Sequence, residues 1–314
     1  MRTKAKINLL AAMQSQPAAP VVNDQMTLNE LIAAWHAWRA AQDDTRAEAA
    51  QADHCRLRKW QDAFGHRVAW SITTDEVAAC AQGMLQHGYA MGSINRDVGT
   101  LGMAYKWVIQ ARRAPAGFVS PTINAGRFKE EKRIVEVAPE VLDRLRAISL
   151  TFTNKAFPVF IHLLIDSGAR KTELLERTWA AVDMQTRRIR LTAADTKTRT
   201  ARTLFFSPAT AALIDRMAPE RSRHPSALLF RGRVPTEPID FRSSWRALTE
   251  QAGCPDLHLH DLRHNRAREL LVTGVPIAQA AQIMGHSVKV LEDRYGHLAV
   301  TDKQRAAELT WAAA

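Results

Sequence analysis

A stretch rich in proline and glycine divides this chain of 314 residues into two parts. The stretch has the sequence APAGFVSPTINAGRFKEEKRIV and is typical of a linker, because Pro and Gly interrupt helices and strands. The sequence therefore predicts two domains joined by a linker at residues 113–137. A chain of this length has room for two domains that each bury a core.

The first part has the pattern of a small helical module at residues 27–112, preceded by a flexible basic leader at 1–26. Thr27 with Glu30, and later Thr73 with Glu76, form the capping-box pattern that starts a helix. Apolar residues at helical spacing follow the first box, and a further helix is predicted from Ser93. The first stripe contains Leu28, Leu31, Ile32, Trp35 and Trp38. Among the tyrosines of this part, Tyr105 is predicted in the core and Tyr89 in a turn.

The second part, residues 138–300, is predicted to be mostly helical with one small sheet. Arg188–Leu191 and Thr203–Ser207 are strand-like runs that flank a polar turn, which indicates a β-hairpin. Helical runs precede and follow this hairpin. The last residues, 301–314, are either a frayed tail or a segment that docks on a neighbouring protomer through Leu309 and Trp311.

The net charge of +11 and the sequence pI of about 10.0 point to a polyanionic partner. Residues 27–112 are neutral, whereas residues 138–314 carry 26 Lys and Arg against 19 Asp and Glu. Nucleic acid is the favoured partner, and acidic proteins or membrane headgroups are the alternatives.

Hydropathy and cysteine content exclude several other classes of protein. No run of eighteen apolar residues occurs, so the sequence predicts no membrane span. The three cysteines, Cys55, Cys80 and Cys254, are scattered, which argues against a disulfide framework and a zinc site. The composition fits a globular protein of the cytoplasm.

Four segments of the second part contain the residue types of a catalytic site. They are SGARKTELLERTW at 167–179, TKTRTART at 196–203, HLHDLRH at 258–264 and MGHSVKVLEDRYGHL at 284–298. Each has an ordinary explanation when taken alone: a surface arginine, a solvated helix face, or a packing tyrosine. His258, His260 and His264 suggest a metal site, but their spacing does not place three imidazoles on one helical face. Because no Walker motif or acidic cluster occurs either, the sequence predicts no cofactor, no ATP and no metal.

Taken together, the four segments resemble the tyrosine recombinase family, also called the phage integrases. The family pattern has an arginine in R-x-x-E-L, a lysine on a β-hairpin, an H-x-x-R, a Gly-His pair and a tyrosine nine residues further on. The matching residues here are Arg170 with Glu173, Lys197, His260 with Arg263, Gly285 with His286, and Tyr295. The resemblance covers residues 138–300, and the helical module resembles the family's core-binding domain.

The resemblance implies that Tyr295 is the nucleophile. A tyrosine that stays bonded to the DNA phosphate conserves the energy of the broken bond, but a phenol with a pKa of about 10 needs help to lose its proton. Arginine forks match the nonbridging oxygens of a phosphorane transition state. Arg170 and Arg263 are therefore expected to clamp the phosphate, with His286 as a third donor.

The resemblance assigns roles to three further residues. Lys197 is expected to protonate the departing 5′ oxygen, and His260 to take part in moving the tyrosine proton. Glu173 is expected to orient Arg170.

Two departures from the family pattern affect details of this assignment. Arg177 stands where the family usually has an apolar residue, so that helix face is expected to pack differently. The hairpin turn lacks the family's usual glycine, so Arg199 and Arg202 stay open as alternatives to Lys197 for the working cation.

The resemblance implies a mainly α fold of two domains that form a clamp on double-stranded DNA. The function it implies is site-specific recombination through a 3′-phosphotyrosyl intermediate and a Holliday junction. Four protomers would act on two paired sites in the nucleoid of a prokaryotic or phage-infected cell, with accessory DNA-bending proteins as further partners. The alternatives are a DNA-binding protein that does not cut and a type IB topoisomerase.

Overall fold

The computed structural model describes residues 23–41, 44–130, 136–196, 199–234 and 236–296, without the side chains of 44–51. The chain forms two compact units that divide at Lys132–Arg133. The prediction of a mainly helical fold with one small sheet is confirmed. Lys197 and the predicted tail at 301–314 lie outside the described residues, as does the predicted leader up to residue 22. The predicted domain boundaries and the clamp stay predictions.

The first unit contains four α-helices in its described part, and these are α1 (Leu28–Ala40), α2 (Asp44–Phe64), α3 (Thr74–Gln86) and α4 (Met91–Gln110). Both predicted capping boxes form. The side chains of Thr27 and Thr73 each accept a hydrogen bond from the backbone N–H of the glutamate three residues on, and the backbone N–H of each threonine donates to the carboxylate of that glutamate. These boxes satisfy amides that a helix otherwise leaves unpaired.

The apolar stripes of α1 and α4 meet in the core of the first unit. Tyr105 lies in this core as predicted, and its hydroxyl donates to the carbonyl of Ala69 at 2.9 Å. Tyr89 lies in the connection between α3 and α4, as predicted, and is exposed. Trp38 differs from its stripe: it is exposed, and its ring lies 5.8 Å from that of Trp107.

The second unit contains eight further α-helices within the described residues. They are α5 (Pro139–Ser149), α6 (Ala156–Ser167), α7 (Lys171–Leu175), α8 (Pro208–Met217), α9 (Arg242–Gln251), α10 (Leu259–Val272), α11 (Ile277–Met284) and α12 (Val288–Tyr295). Helix α6 is apolar on nearly every side and forms the centre of the larger core of this unit. A smaller apolar cluster lies between α10, α11 and α12.

A three-stranded antiparallel sheet in the order β1-β2-β3 accompanies these helices, and its strands are β1 (Val182–Asp183), β2 (Arg188–Leu191) and β3 (Arg202–Phe205). The predicted hairpin corresponds to β2 and β3, and Ile189 pairs with Leu204 on the buried face. Strand β3 ends before the predicted Ser207, because the Ser207 hydroxyl caps α8 by accepting from the Thr210 amide at 3.2 Å. Strand β1 was not predicted, because its two residues show no pattern that distinguishes a strand from a loop.

Two glycines in the left-handed conformation end the helices that lead into the candidate site. Gly168, with a φ of 62°, ends α6, and Gly285, with a φ of 61°, ends α11. A Cβ on Gly168 would lie 2.7 Å from the methyl carbon of Met284, so this position also permits α6 and α11 to approach closely.

None of the helices in the described ranges combines the length and the apolar character that crossing a bilayer requires.

Candidate active site

Arg170 stands at the beginning of α7, where Glu173 holds it in two ways. The backbone N–H of Arg170 donates to Oε2 of Glu173 at 2.6 Å, and its Nη1 donates to Oε1 at 2.7 Å. Glu173 is 2% exposed. Burial raises the pKa of this carboxyl, but the charge of Arg202 and the hydrogen bonds from Arg170 outweigh burial and lower the pKa below its usual value. These contacts place Glu173 directly against Arg170, and its orienting role stays a prediction.

Three guanidinium groups converge on the C-terminal end of α11. Three successive carbonyl oxygens there each accept from a different arginine. The pairs are Arg202 with Ile283 at 2.6 Å, Arg263 with Met284, and Arg170 with Gly285 at 3.3 Å. The last carbonyls of a helix lack intrahelical partners and carry the negative end of its dipole, so this end of α11 favours cations.

Arg263, on α10, is the most deeply buried of the three arginines, at 1% exposure. Its Nη1 donates to the carbonyl of Gly168 at 2.7 Å, which ties α10 to the end of α6. Burial and the neighbouring Arg170 and Arg202 lower the pKa of Arg263 to about 9. Its Nε is buried and has no hydrogen-bond partner among the described residues.

The cluster of Arg170, Arg202 and Arg263 carries more positive than negative charge. Glu173 is the carboxylate that contacts Arg170 and Arg202 directly. A buried surplus of like charge is costly, and an arriving anion would relieve it. The arrangement therefore favours binding of a phosphate group, to which arginine forks are matched in shape.

His286 directly follows the end of α11 and lies in the same cluster. Burial, followed by the charges of Arg263 and Arg170, lowers the pKa of His286 to about 3, so its imidazole is neutral at physiological pH. Its Nδ1 is buried and lacks a hydrogen-bond partner in the part of the chain that the structure describes. A neutral imidazole with a free nitrogen can contribute a hydrogen bond to a bound phosphate.

His260 lies on α10 one turn before Arg263 and next to His264, and the two imidazole centroids are 4.6 Å apart. Burial of the imidazole and the charge of Arg263 lower the pKa of His260. This histidine is also neutral at physiological pH and therefore able to accept a proton.

Tyr295 is the last residue of α12 and is 7% exposed within the apolar cluster of α10 to α12. Its hydroxyl oxygen lies 2.9 Å from Nδ1 of His264 and donates to the carbonyl of His264 at 3.2 Å. The Arg294 guanidinium lies against the same imidazole, with Nη1 2.9 Å from Nδ1. Burial raises the pKa of Tyr295, and the charge of Arg294 offsets only part of this effect.

The structure thus brings most of the predicted site residues into one region of the second unit. Arg170, Glu173, Arg263 and His286 share a network at the end of α11. Tyr295 contacts the residue that follows Arg263 in α10. Lys197 lies outside the described residues, so its role stays a prediction.

Sequence reasoning missed the positions of three side chains. Arg202 was considered as an alternative to Lys197 for the working cation of the hairpin, but its side chain is buried and contacts Glu173 and the carbonyl of Ile283. His264 entered only through the rejected metal interpretation, and the side-by-side placement of Arg294 and Tyr295 on His264 was not foreseen. The HLHDLRH segment contained a signal for His264, since it directly follows the predicted catalytic arginine. Within the described ranges, no group of three His, Cys, Asp or Glu residues is arranged to hold a metal ion.

Arg177, one of the departures from the family pattern, follows α7, is buried and forms an ion pair with Asp195 in the hairpin turn. The other oxygen of Asp195 accepts from the backbone and side chain of Thr192 at 2.7 and 2.8 Å. Arg177 thereby joins the segment that carries Arg170 and Glu173 to the hairpin.

Comparison with known proteins identifies relatives of the chain. The family model described as "Phage integrase family" matches residues 128–301. An integrase of Saccharopolyspora erythraea is 38% identical over 64 residues, which are 20% of this chain and 15% of that protein. Tyrosine recombinase XerC of Bifidobacterium longum strain DJO10A is 29% identical over 177 residues, which cover 52% of this chain and 49% of the relative. The chain thus matches about half, or less, of the length of these curated relatives.

Solved structures show the same fold. The Tn1549 transposon integrase in complex with transposon right-end DNA matches with a TM-score of 0.71 at 18% identity, covering 90% of this chain and 100% of that one. A lambda integrase dimer bound to a COC′ core site matches with a TM-score of 0.67 at 15% identity, covering 86% and 95% of the two chains. The family model spans more than half of the 314 residues. The chain therefore belongs to the phage integrase family.

Proposed function

We propose that this chain is a site-specific DNA recombinase that cuts and rejoins DNA strands through a 3′-phosphotyrosyl intermediate at Tyr295. The observation that supports this most directly is the convergence of Arg170, Arg263 and His286 at the end of α11. Tyr295 is hydrogen-bonded to His264, which follows Arg263 in α10. Such a cluster has the charge and the donors to hold a DNA phosphate beside a phenol.

In the proposed cleavage step, the Tyr295 oxygen forms a bond to phosphorus as the bond from phosphorus to the 5′ oxygen breaks. The phenol loses its proton, for which we propose His260 as the acceptor, and Lys197 supplies a proton to the departing 5′ oxygen. Arg170 and Arg263 donate to the nonbridging oxygens, where charge develops, with His286 as a further donor. Rejoining is the reverse reaction with the 5′ hydroxyl of another strand, so no external energy source is consumed.

In its observed position the Tyr295 hydroxyl is engaged by His264, and burial raises its pKa, so the oxygen is not ready to attack a phosphate. Cleavage therefore requires α12 to release this contact. Because Arg263 and His264 are consecutive residues of α10, we propose that a shift of α12 redirects the hydroxyl towards a phosphate held by the arginines.

The relatives suggest the partners of the reaction. The Tn1549 and lambda integrase structures contain DNA, and the lambda integrase is a dimer on its site. For this chain we propose double-stranded DNA sites as substrate and four protomers on two paired sites, with the segment at 301–314 docking between protomers. We further propose action in the cytoplasm at the nucleoid, with DNA-bending proteins as accessory factors.

Covalent capture tests this proposal without knowledge of the target. A duplex library with random sequence and internal nicks is incubated with the chain, and DNA that resists removal by hot detergent is amplified and sequenced. The native chain is expected to enrich a defined sequence, and the Tyr295→Phe variant to retain none. Nuclease digestion should leave a nucleotide on a peptide that contains Tyr295, and an adduct on any other residue would refute the assignment.

The same assay separates the alternatives. Equal DNA binding by the native chain and Tyr295→Phe, with no adduct from either, would indicate a binding protein that does not cut. Relaxation of a supercoiled plasmid that lacks every enriched sequence would indicate a type IB topoisomerase instead.

A further inference from the structure

Arg202, at the start of β3, connects the hairpin to two parts of the candidate site. Its Nη2 donates to Oε2 of Glu173 at 2.6 Å, and its Nη1 donates to the carbonyl of Ile283 at 2.6 Å. Its side chain is 4% exposed. We propose that Arg202 is a positioning residue that keeps the charge of Arg170 available to the DNA phosphate by sharing Glu173 with it. This inference rests on the proposed function.

Glu173 divides its two oxygens between the two arginines. Oε1 accepts from Arg170 Nη1 at 2.7 Å, whereas Oε2 accepts from Arg202 Nη2 and from the backbone N–H of Arg170. The three charged side chains together carry a net charge of +1. Without Arg202, the carboxylate would neutralise Arg170 alone, and the pair would have no net charge left to attract a phosphate.

Arg202 also fixes the end of α11. A Cβ on Gly285 would lie 2.7 Å from Nε of Arg202, so the guanidinium is packed directly against the backbone that precedes His286. The carbonyl of Gly285 in turn accepts from Arg170. Arg202 therefore holds, from one side, both the carboxylate and the carbonyl segment that place Arg170.

The competing explanation for the position of Arg202 is that it contacts DNA directly, since the sequence left it as an alternative to Lys197 for the working cation of the hairpin. Two acceptors already occupy its fork, and little of the side chain is exposed. Reaching DNA would break a buried ion pair with Glu173. The structure thus assigns Arg202 to the support of Arg170 and not to the substrate.

The test compares a charged with an uncharged scissile group. The site found by covalent capture is synthesised with either a phosphate or a methylphosphonate at the cleaved position, and adduct formation is followed in a single turnover. Arg202→Met preserves the volume and removes the charge, whereas Arg202→Lys keeps the charge without the fork. The matched control is Arg216→Met, because Arg216 is an exposed arginine on α8.

Arg202→Met is expected to slow the reaction of the phosphate substrate about 30-fold, less than the loss of a direct donor. On the methylphosphonate the loss should shrink to about threefold, because the scissile group there has no negative charge for Arg170 to attract. Arg202→Lys should recover about half of the loss on a logarithmic scale. The double variant Glu173→Gln with Arg202→Met should react about tenfold faster than Arg202→Met, since no carboxylate then neutralises Arg170.

The proposal would be overturned if Arg202→Met slowed adduct formation equally on both substrates. It would also be overturned if the rate reductions caused by Glu173→Gln and Arg202→Met simply multiplied in the double variant, and Arg202 would then be a purely structural residue. Binding of inorganic phosphate gives a readout independent of cleavage, followed through the imidazole NMR signals of His286. Arg202→Met should weaken this binding about tenfold, and unchanged binding would also overturn the proposal. If the native chain forms no adduct but phosphate binding responds as expected, the recombinase function fails while the role of Arg202 stands.

Discussion

The neutral state of His286 and His264 makes the stability of the second unit depend on pH. Burial and the charges of Arg263 and Arg170 lower the pKa of His286 to about 3, and burial and Arg294 lower that of His264 to about 4. An unfolded histidine has a pKa of about 6.5. The unfolded state therefore binds more protons below this value, so the free energy of unfolding must fall as the pH falls from about 6.5 towards the folded pKa values.

The size of this effect follows from the two pKa values. At about pH 5 an unfolded imidazole is almost fully protonated and a folded one with a pKa of about 3 or 4 is almost fully neutral, which corresponds to at most about 2 kcal/mol for each ring. Both rings are partly exposed, so water screens the charge and reduces the expected figure to about 1 kcal/mol each. These two rings should thus cost the second unit about 2 kcal/mol between about pH 7 and pH 5, and the lowered pKa values of His260 and His162 add a loss in the same direction.

Urea unfolding at a series of pH values measures this loss. His286→Asn should reduce the loss between about pH 7 and pH 5 by about 1 kcal/mol, because one neutral ring with a lowered pKa is gone. His224→Asn is the matched control, since His224 is exposed and its Nδ1 lies 2.9 Å from the hydroxyl oxygen of Ser226. The pKa of Glu173 is lowered, so this carboxylate titrates below the tested range. An unchanged pH dependence in His286→Asn, or a native chain that gains stability on acidification, would refute the reasoning.

Three further predictions concern contacts around the site. Tyr295→Phe should lower the free energy of unfolding by about 1 kcal/mol, because the hydrogen bond to His264 is lost. A double-mutant cycle with His264→Ala, measured by urea unfolding, should show a coupling energy of similar size, and additive losses of stability would contradict the prediction. Arg177→Met should destabilise the chain by about 2 kcal/mol because Asp195 loses its partner, measured by urea unfolding, whereas a stability equal to that of the native chain would show that the ion pair contributes nothing net. DNA affinity should fall about a thousandfold between about 50 and 200 mM salt if about six phosphates are contacted, and a salt-independent affinity in a binding assay would exclude phosphate contacts as its source.

Local patterns in the sequence were sufficient to predict most of the helices and the hairpin, but α2 (Asp44–Phe64) was not predicted. The capping boxes at Thr27 and Thr73 and the apolar stripes identify elements whose stability is decided within a few turns. The hairpin was predicted because its strands contain the alternation of a half-buried sheet. Strand β1 has only two residues, Val182 and Asp183, and it exists through pairing with β2, so no local pattern marks it.

The site was predicted as a set of residues but not as a network. The family pattern listed Arg170, Arg263 and His286, and the structure brings them to one helix end. The burial of Arg202 could not be predicted, because its partners Glu173 and Ile283 are remote in sequence and nothing next to Arg202 indicates them. Contacts of this kind depend on how helices and strands meet, which residue patterns within one element do not encode.

The lowered pKa values also bear on where the tyrosine proton goes. The lowered pKa of His260 makes its imidazole a weaker base, and burial makes the Tyr295 phenol a weaker acid, so both effects disfavour phenoxide in the free protein. The charges of Arg263 and Arg170 are part of what lowers the pKa of His260. A phosphate bound to these arginines compensates their charge and thereby raises the basicity of the imidazole. In the proposed cleavage step, a phosphate on Arg263 and Arg170 is therefore expected to make His260 a better proton acceptor than it is in the free protein.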